Sequence, residues 1–433
     1  MNFLVLGAGR VAGPAIDFLS RHGDVVVLHK PGEDVSHLGI EPPRVRFVEW
    51  EVDDEETLRR FLKSSAVMVS LLPAWMHARV VKVAISEGVS VVTASYVSEE
   101  MRALEEEARK KGVTVLNEMG VDPGIDHMSA LRLINKVRSQ GREVKGFWSY
   151  TGGLPAPSAN NNPWGYKLSW SPVSVVRAAL NPAVYLEDGT RREVPSPEVF
   201  VDVRTLHFEG IGTLESYPNR NSLIYKDLYG LKEAQTIYRG TLRYPGWCRL
   251  WYHLGKLGLL SLRPFEKEVE TPAQAIKQLL GASDDLEREV AKRTGLDLSD
   301  EVMAKIRWIG LFDETPLKEE VKTPVDLLAY LMMQRLNYEE GEQDMIVMRH
   351  EFQLDDGKRL TSSLVVFGEE NGPTAMAKTV GLPVGVGAYL VAQKKINRPG
   401  VVIPNFPEAY DQVLPVLEEL GIKFEEVEDG KTL

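Results

Sequence analysis

The segment "NFLVLGAGRVAG", residues 2–13, constrains this chain more than any other. An apolar, strand-forming run leads straight into closely spaced glycines. A helical stretch, "RVAGPAIDFLSRHG", follows. Strand, glycine turn and helix in that order form the phosphate-cradling end of a dinucleotide-binding β-α-β unit. Gly7 permits the tight turn, and Gly9 lets the backbone approach a pyrophosphate. Ala12 or Gly13 lets helix and strand pack closely. The helix N-terminus then offers N–H groups and a partial positive charge to the phosphates.

The next stretch extends that reading. "DVVVLHK", "VRFVEWEV", "AVMVSLL", "SVVTASY" and "VTVLNEMG" are short runs of strand length, separated by amphipathic stretches such as "DEETLRRFLKSS" and "SEEMRALEEEARKKG". Near-continuous apolar strands alternating with helices imply a parallel sheet covered on both faces. In the second of those stretches Ser98 is a helix N-cap and Gly112 its end, with acids early and bases late. From about residue 145 the pattern changes. "VKGFWSYTGGLPAPSANNNPWGYKLSW" is rich in Gly, Pro, Asn and aromatics and reads as ordered loop. Strand-like pieces run to about 245, helices fill 247–340, strands resume, and "PTAMAKTVGLPVGVGAYLVAQ" makes a last long helix.

The expected fold is α/β: a Rossmann-like dinucleotide domain and a second α/β mixed-sheet domain with an all-helical insert. The expected boundaries are 1–125 for the first domain and 126–246 for the first part of the second. The insert is 247–340, the second part 341–372, and 373–433 is a return helix and tail on the Rossmann domain.

A ribose-binding acid is expected about 20 residues beyond the glycines. That distance lands on His29, Lys30 and Pro31. A 2′-phosphate would repel an acid and attract a base, so Lys30, with Arg10 in the glycine loop, points to NADP. Glu33 and Asp34 follow closely and keep NAD as the alternative.

Composition excludes some classes. A net charge of −11 disfavours nonspecific binding to nucleic acid or anionic membranes. The N-terminus makes a poor signal peptide. No stretch approaches ~18 uninterrupted apolar residues, so no membrane span is expected. Cys248 is the single cysteine, which suits a reducing cytoplasm. The eight histidines show no metal-ligand spacing, so no metal site is expected.

Seven blocks carry a resemblance: "LLPAWMH", "VTASYVS", "NEMGVDPGIDHM", "TGGLPAP", "NNNPWGYKLSWSP", "YPNR" and "RGTLRY". In them the chain resembles the glutamate-forming saccharopine dehydrogenases, also called saccharopine reductases. The blocks occur in the family's order over nearly the whole length. The resemblance implies interconversion of saccharopine with glutamate and 2-aminoadipate 6-semialdehyde, using NADP or NAD. It implies cofactor contacts at Ala8 to Val11, His29, Lys30, Pro31, Glu51, Val52 and Leu72. Thr93, Ala94, Ser95, Val121, Asp122, Pro123 and Ser171 complete that set. It implies saccharopine contacts at Ser95, Tyr96, Asp122, Arg220, Thr241, Leu242 and Arg243, and a homodimer through the second domain. Two departures stand out: Thr151 replaces a frequent cysteine, and Trp164 replaces a smaller aliphatic residue and is expected to narrow the pocket.

These residues suit the chemistry. Saccharopine has three carboxylates and two amino groups. Arg220 and Arg243 can grip carboxylates bidentately, and Asp122 can receive an ammonium. Ser95, Tyr96 and Thr241 supply neutral hydrogen bonds. Water addition to the imine and collapse of the carbinolamine need proton transfers, for which Tyr96 and Asp122 are the nearest candidates and the substrate's own amine or a bound water the alternatives. Arg239 is an even choice between site and structural ion pair. His127 reads as structural or as supporting another residue, and His77 as cleft lining or helix cap. The aromatic cluster "WCRLWYHL" reads as core or subunit contact. Two other functions stay open: a carboxynorspermidine dehydrogenase-like enzyme, which would want acids where Arg220 and Arg243 stand, and a non-catalytic NADP-binding regulator.

Overall fold

A computed structural model describes residues 1–40, 43–281 and 285–432, and the chain divides into two compact units. The first unit is Met1–Glu143 with Ser362–Leu433; the second is Val144–Thr361.

The first unit is built on seven parallel strands. Six are the runs read from the sequence: β1 (Asn2–Leu6), β2 (Asp24–His29), β3 (Val45–Glu49), β4 (Val67–Ser70), β5 (Ser90–Thr93) and β6 (Thr114–Leu116). The seventh, Gly400–Val402, was not anticipated. Three residues carry no periodic signal, and the strand exists by pairing with β6, Gly400 opposite Thr114. The order across the sheet is Gly400–Val402, β6, β5, β4, β1, β2, β3. It reverses direction between β1 and β4, with Leu6 opposite Ser70. That reversal is where open α/β sheets take their ligands, at the carboxyl ends of the strands.

Leu4, Leu6, Met68 and Val91 are fully buried in one core of this unit. Asp54 caps the helix Glu55–Leu62, its carboxylate accepting from Thr57 N–H at 3.0 Å. Ser98 and Gly112 bound the next helical stretch as expected, but the chain breaks it into Glu99–Arg102 and Glu105–Lys111. The helix Ala375–Ala392 has the length and apolar composition of a membrane span, yet 67% of it is buried inside the unit. Its glycines explain why. A Cβ on Gly381 would lie 2.6 Å from the Val11 carbonyl oxygen, and one on Gly385 would lie 3.3 Å from Ala15. Small residues one turn apart let it press against the first helix, Ala12–Ser20.

The helix Ile125–Ser139, assigned by the sequence reading to the second domain, lies in the first unit. Its partners hold it there. Asn135 donates to the Tyr410 hydroxyl at 2.6 Å, and Arg132 pairs with Glu418 at 3.0 Å. Residues 362–372 also belong to this unit.

The second unit carries a mixed sheet. Its strands are β7 (Val144–Pro155), β8 (Ala183–Glu187), β9 (Thr190–Val194), β10 (Arg204–Phe208), β11 (Gly212–Pro218), β12 (Thr236–Arg243) and β13 (Asp344–Leu354). They run in the order β10, β11, β12, β7, β13, with β12 parallel to β7 and the other neighbours antiparallel. β8 joins β12 at Ile237 and Leu186 and carries β9.

β7 corrects the loop expected from residue 145. Its twelve residues are central in the sheet, and the glycines that read as loop mark close approach. A Cβ on Gly152 would sit 2.7 Å from the Leu242 carbonyl oxygen. Helices then run from Trp247 to Arg335, four of them capped by Thr271, Asp285, Asp300 and Thr323. Trp247 and Trp251 stack at 4.9 Å and are buried, so the aromatic cluster is core.

Candidate active site

The glycine loop sits at the carboxyl end of β1. Gly7 has φ +98°, and a Cβ there would lie 3.1 Å from the Leu71 carbonyl oxygen. Its N–H donates to Leu28 at 2.8 Å. Angle and closeness both require glycine. Gly9 differs, since a Cβ there would meet nothing within 4 Å. That open space is where a pyrophosphate would approach the backbone. Gly13 makes only ordinary contact, 3.7 Å from Leu38, so fully buried Ala12 is the close-packing residue. Val11 gives the first helix no side-chain cap, leaving its N-terminus suited to an anion. Ala8 is buried, and Arg10 is exposed. The loop fits a dinucleotide phosphate.

The turn after β2 decides the ribose end. His29 is buried, its Nδ1 3.1 Å from the Lys30 carbonyl. Lys30 and Pro31 are exposed. The two competing acids are engaged locally. Glu33 accepts from Lys30 N–H at 3.2 Å, and Asp34 accepts from Ser36 N–H at 2.9 Å. Glu49, passed over in the sequence, accepts from Gly32 N–H at 3.0 Å. Acids thus close this turn while Lys30 presents its ammonium to solvent, as a 2′-phosphate would require. Glu51 is exposed, whereas Val52 and Leu72 pack against the core beside β1 and β4.

The ends of β4 and β5 meet around His77. The ring is buried; Nδ1 lies 2.8 Å from Ser70 Oγ and Nε2 2.8 Å from Ser95 Oγ, with Thr93 Oγ1 at 3.3 Å. Burial pushes its pKa down to about 4, so the ring is neutral. A neutral ring donates from one nitrogen and accepts at the other, which orders the hydroxyls around it. His77 is therefore more than the helix cap or cleft lining considered from sequence. Ala94 is half-buried. Tyr96 projects to 38% exposure, and its hydroxyl donates to Asp122 Oδ1 at 3.3 Å. The pair expected to move protons is thus brought together. Val121 and Pro123 beside it are buried. Ser70 and Glu118, like Glu49, leave little trace in the sequence. Ser70 ends an otherwise apolar strand, and that polar ending at the carboxyl edge was its only signal.

In the second unit, Arg243 is 5% exposed at the end of β12. Its guanidinium lies over the rings of Tyr166 and Trp247, at 5.1 and 5.2 Å. Nη1 donates to the Leu242 carbonyl at 2.7 Å, and Nε has no hydrogen-bond partner among the described residues. Glu215 stands opposite in register, but its carboxylate accepts instead from the Gly246 and Cys248 amides. Among the described residues no carboxylate pairs with Arg243. Thr241 and Leu242 precede it on β12, where Thr241 lies beside Thr151 on β7. The Thr151 hydroxyl is buried without a hydrogen-bond partner among the described residues.

Arg220 is exposed with φ +51°, a strained setting for a non-glycine residue. Arg239 donates to the Tyr225 hydroxyl and lies 4.4 Å from the centre of that ring. Ser171 caps the helix Pro172–Ala178. Trp164 is buried core, its Nε1 donating to Lys305 at 2.9 Å, so the expectation that it narrows a pocket is replaced by packing against Trp247. Burial raises the Cys248 thiol far above its ordinary range and keeps it protonated.

Two family models match. The saccharopine dehydrogenase NADP binding domain matches residues 3–116, and the saccharopine dehydrogenase C-terminal domain matches 120–422. The NADP-dependent, L-glutamate-forming saccharopine dehydrogenase of Schizosaccharomyces pombe is 35% identical, over 98% of both chains. That of Saccharomyces cerevisiae is 36% identical, over 98% of this chain and 97% of its own. A solved structure of the apo, L-Glu-forming enzyme from S. cerevisiae superposes with a TM-score of 0.89, covering 99% of each chain.

Proposed function

The chain belongs to the saccharopine dehydrogenase family, and on that premise we propose that it is an NADP-dependent, L-glutamate-forming saccharopine dehydrogenase of lysine metabolism. It interconverts saccharopine, NADP⁺ and water with L-glutamate, 2-aminoadipate 6-semialdehyde and NADPH. The observation that carries the substrate is Arg243, a buried guanidinium that pairs with no carboxylate among the described residues. The rings and the Leu242 carbonyl only partly offset the cost of burying this charge, and an anionic substrate offsets the rest. Saccharopine is such a substrate.

Bound at the residues named below, NADP⁺ would supply the hydride acceptor for the lysine-arm carbon of the secondary amine, the carbon that becomes the aldehyde of the semialdehyde. The residues of this chain bind, orient and move protons. Arg243 and Arg220 take carboxylates. Thr241 and Leu242 lie beside Arg243 and hold the same end of the substrate. Asp122 receives an ammonium, and Ser95 donates from a hydroxyl ordered by His77. Tyr96, hydrogen-bonded to Asp122, serves the proton transfers of water addition and carbinolamine collapse. The cofactor set is the glycine loop, His29 to Pro31, Glu51, Val52, Leu72, Thr93 to Ser95, Val121 to Pro123 and Ser171. Lys30, exposed beyond a turn closed by acids, supports NADP over NAD.

The same reading includes a homodimer and a cytoplasmic location. The family resemblance supports the first, and a lone, protonated, buried cysteine supports the second. Sedimentation velocity tests the dimer. The substrate is tested by comparing NADP⁺ reduction with saccharopine and with carboxynorspermidine at equal concentrations. Faster turnover of saccharopine is expected; faster turnover of the polyamine would overturn the assignment.

A further inference from the structure

We propose that Glu118, anchored by His127, is a positioning residue that sets the orientation of Tyr96; the inference rests on reading Tyr96 as a proton-transferring group. Glu118 is buried and has φ +59°, a region that non-glycine residues seldom occupy. An outlier of this kind at a strand end is a reason to look for function. Its N–H donates to the Ser95 carbonyl at 3.1 Å, and its Oε1 accepts from the Val97 N–H at 3.1 Å. One residue therefore grips the peptides on both sides of Tyr96. The next amide, Met119 N–H, donates to the Thr93 carbonyl at 3.0 Å and extends the clamp to the end of β5.

The other carboxylate oxygen is tied down. Glu118 Oε2 lies 2.8 Å from Nε2 of His127, which is fully buried. A buried carboxylate needs partners for both oxygens, and here each partner serves to fix it. Tyr96, by contrast, is exposed and holds Asp122 Oδ1 at 3.3 Å. An exposed ring on a loop keeps one direction only if its backbone is held. Glu118 supplies that hold, and His127 keeps Glu118 in place. The role is positional, since neither residue need exchange a proton or touch substrate.

The test is a cycle of kcat/KM for saccharopine oxidation, with NADP⁺ dissociation constants measured in parallel, on the wild type, Tyr96→Phe, Glu118→Ala, Glu118→Gln and Tyr96→Phe/Glu118→Ala. Glu118→Ala is expected to lower kcat/KM about tenfold or more, because small misplacements are costly. NADP⁺ affinity should stay within about twofold, and the same change should cost less than about twofold once Tyr96 is Phe. Glu118→Gln should recover most of the activity, because its amide oxygen still accepts from Val97. Should Glu118→Ala fail to fold, His127→Leu replaces it in the cycle and should show the same dependence on Tyr96.

Equal losses in both backgrounds, or a loss confined to NADP⁺ affinity, would overturn the positioning role while leaving the function intact. Wild-type activity in Tyr96→Phe would instead overturn the reading of Tyr96, and the positioning role with it. No saccharopine turnover by the wild type would overturn the proposed function itself.

Discussion

Nε2 of His77 and Oγ of Ser95 lie 2.8 Å apart, and the other ring nitrogen lies 2.8 Å from Ser70. A histidine thus joins the end of β4 to the end of β5, where cofactor and substrate groups are expected. Burial holds its pKa near 4, against 6.5 in the unfolded chain.

That difference fixes a pH dependence. Between pH 6.5 and about 4 the unfolded chain binds the extra proton, so stability falls as pH drops through this window. The loss from this one group approaches roughly 3 kcal/mol at the low end, at about 1.4 kcal/mol per unit. Denaturant midpoints at neutral and acid pH check it. Between neutral pH and pH near 4 the wild type should lose roughly 3 kcal/mol more than His77→Gln. Equal losses would show that the ring is not held neutral.

The two loop glycines should separate fold from function. Gly7→Ala meets both a positive φ and the Leu71 carbonyl, and should destabilise by about 1–2 kcal/mol. At Gly9 a Cβ would meet nothing within 4 Å, so Gly9→Val is the matching change there. It should leave thermal stability unchanged and weaken NADP⁺ about tenfold or more, because the side chain takes the space the pyrophosphate needs. Paired melting curves and NADP⁺ titrations decide; intact binding in Gly9→Val would remove the phosphate site from this loop.

Lys30→Asp should shift the ratio of kcat/KM for NADP⁺ over NAD⁺ toward NAD⁺ by about ten- to a hundredfold, since an attraction for the 2′-phosphate becomes a repulsion. Initial rates with both cofactors measure it. An unchanged ratio would make Lys30 a solvated bystander and return the ribose to Glu33, Asp34 or Glu49.

Arg243→Met should separate stability from substrate binding. Removing a buried cation that pairs with no carboxylate among the described residues should leave the melting temperature unchanged or raise it. The same change should lower kcat/KM for saccharopine about a hundredfold or more, since a desolvated carboxylate loses its partner. A large drop in melting temperature with normal turnover would make Arg243 structural.

How much was legible beforehand depends on the signal each feature leaves. The six strands β1 to β6 announce themselves as apolar runs between helices, and Gly7 and Gly9 by their spacing. Lys30 is visible because a specific residue type is missing at a known distance. β7 was hidden because Gly152 and its neighbours look like loop until the close approach of Leu242 is known. Glu118 left almost no trace, since a left-handed carboxylate cannot be told in sequence from a solvated one. The helix Ile125–Ser139 was assigned to the wrong side of a boundary because what holds it, Tyr410 and Glu418, lies nearly 300 residues away. The identity of the substrate came from long, ordered blocks such as "DPGIDHM" and "RGTLRY", not from periodicity.

The central claim is that this chain cleaves saccharopine to L-glutamate. Saccharopine has two carbons bonded to its secondary amine, and loss of hydride from one or the other gives different products. The decisive measurement is product analysis of one reaction containing saccharopine and NADP⁺, following NADPH by absorbance and amino acids by chromatography. One L-glutamate for each NADPH, with no lysine, is the predicted result. Lysine and 2-oxoglutarate in place of glutamate and the semialdehyde, or no NADPH at all, would contradict it.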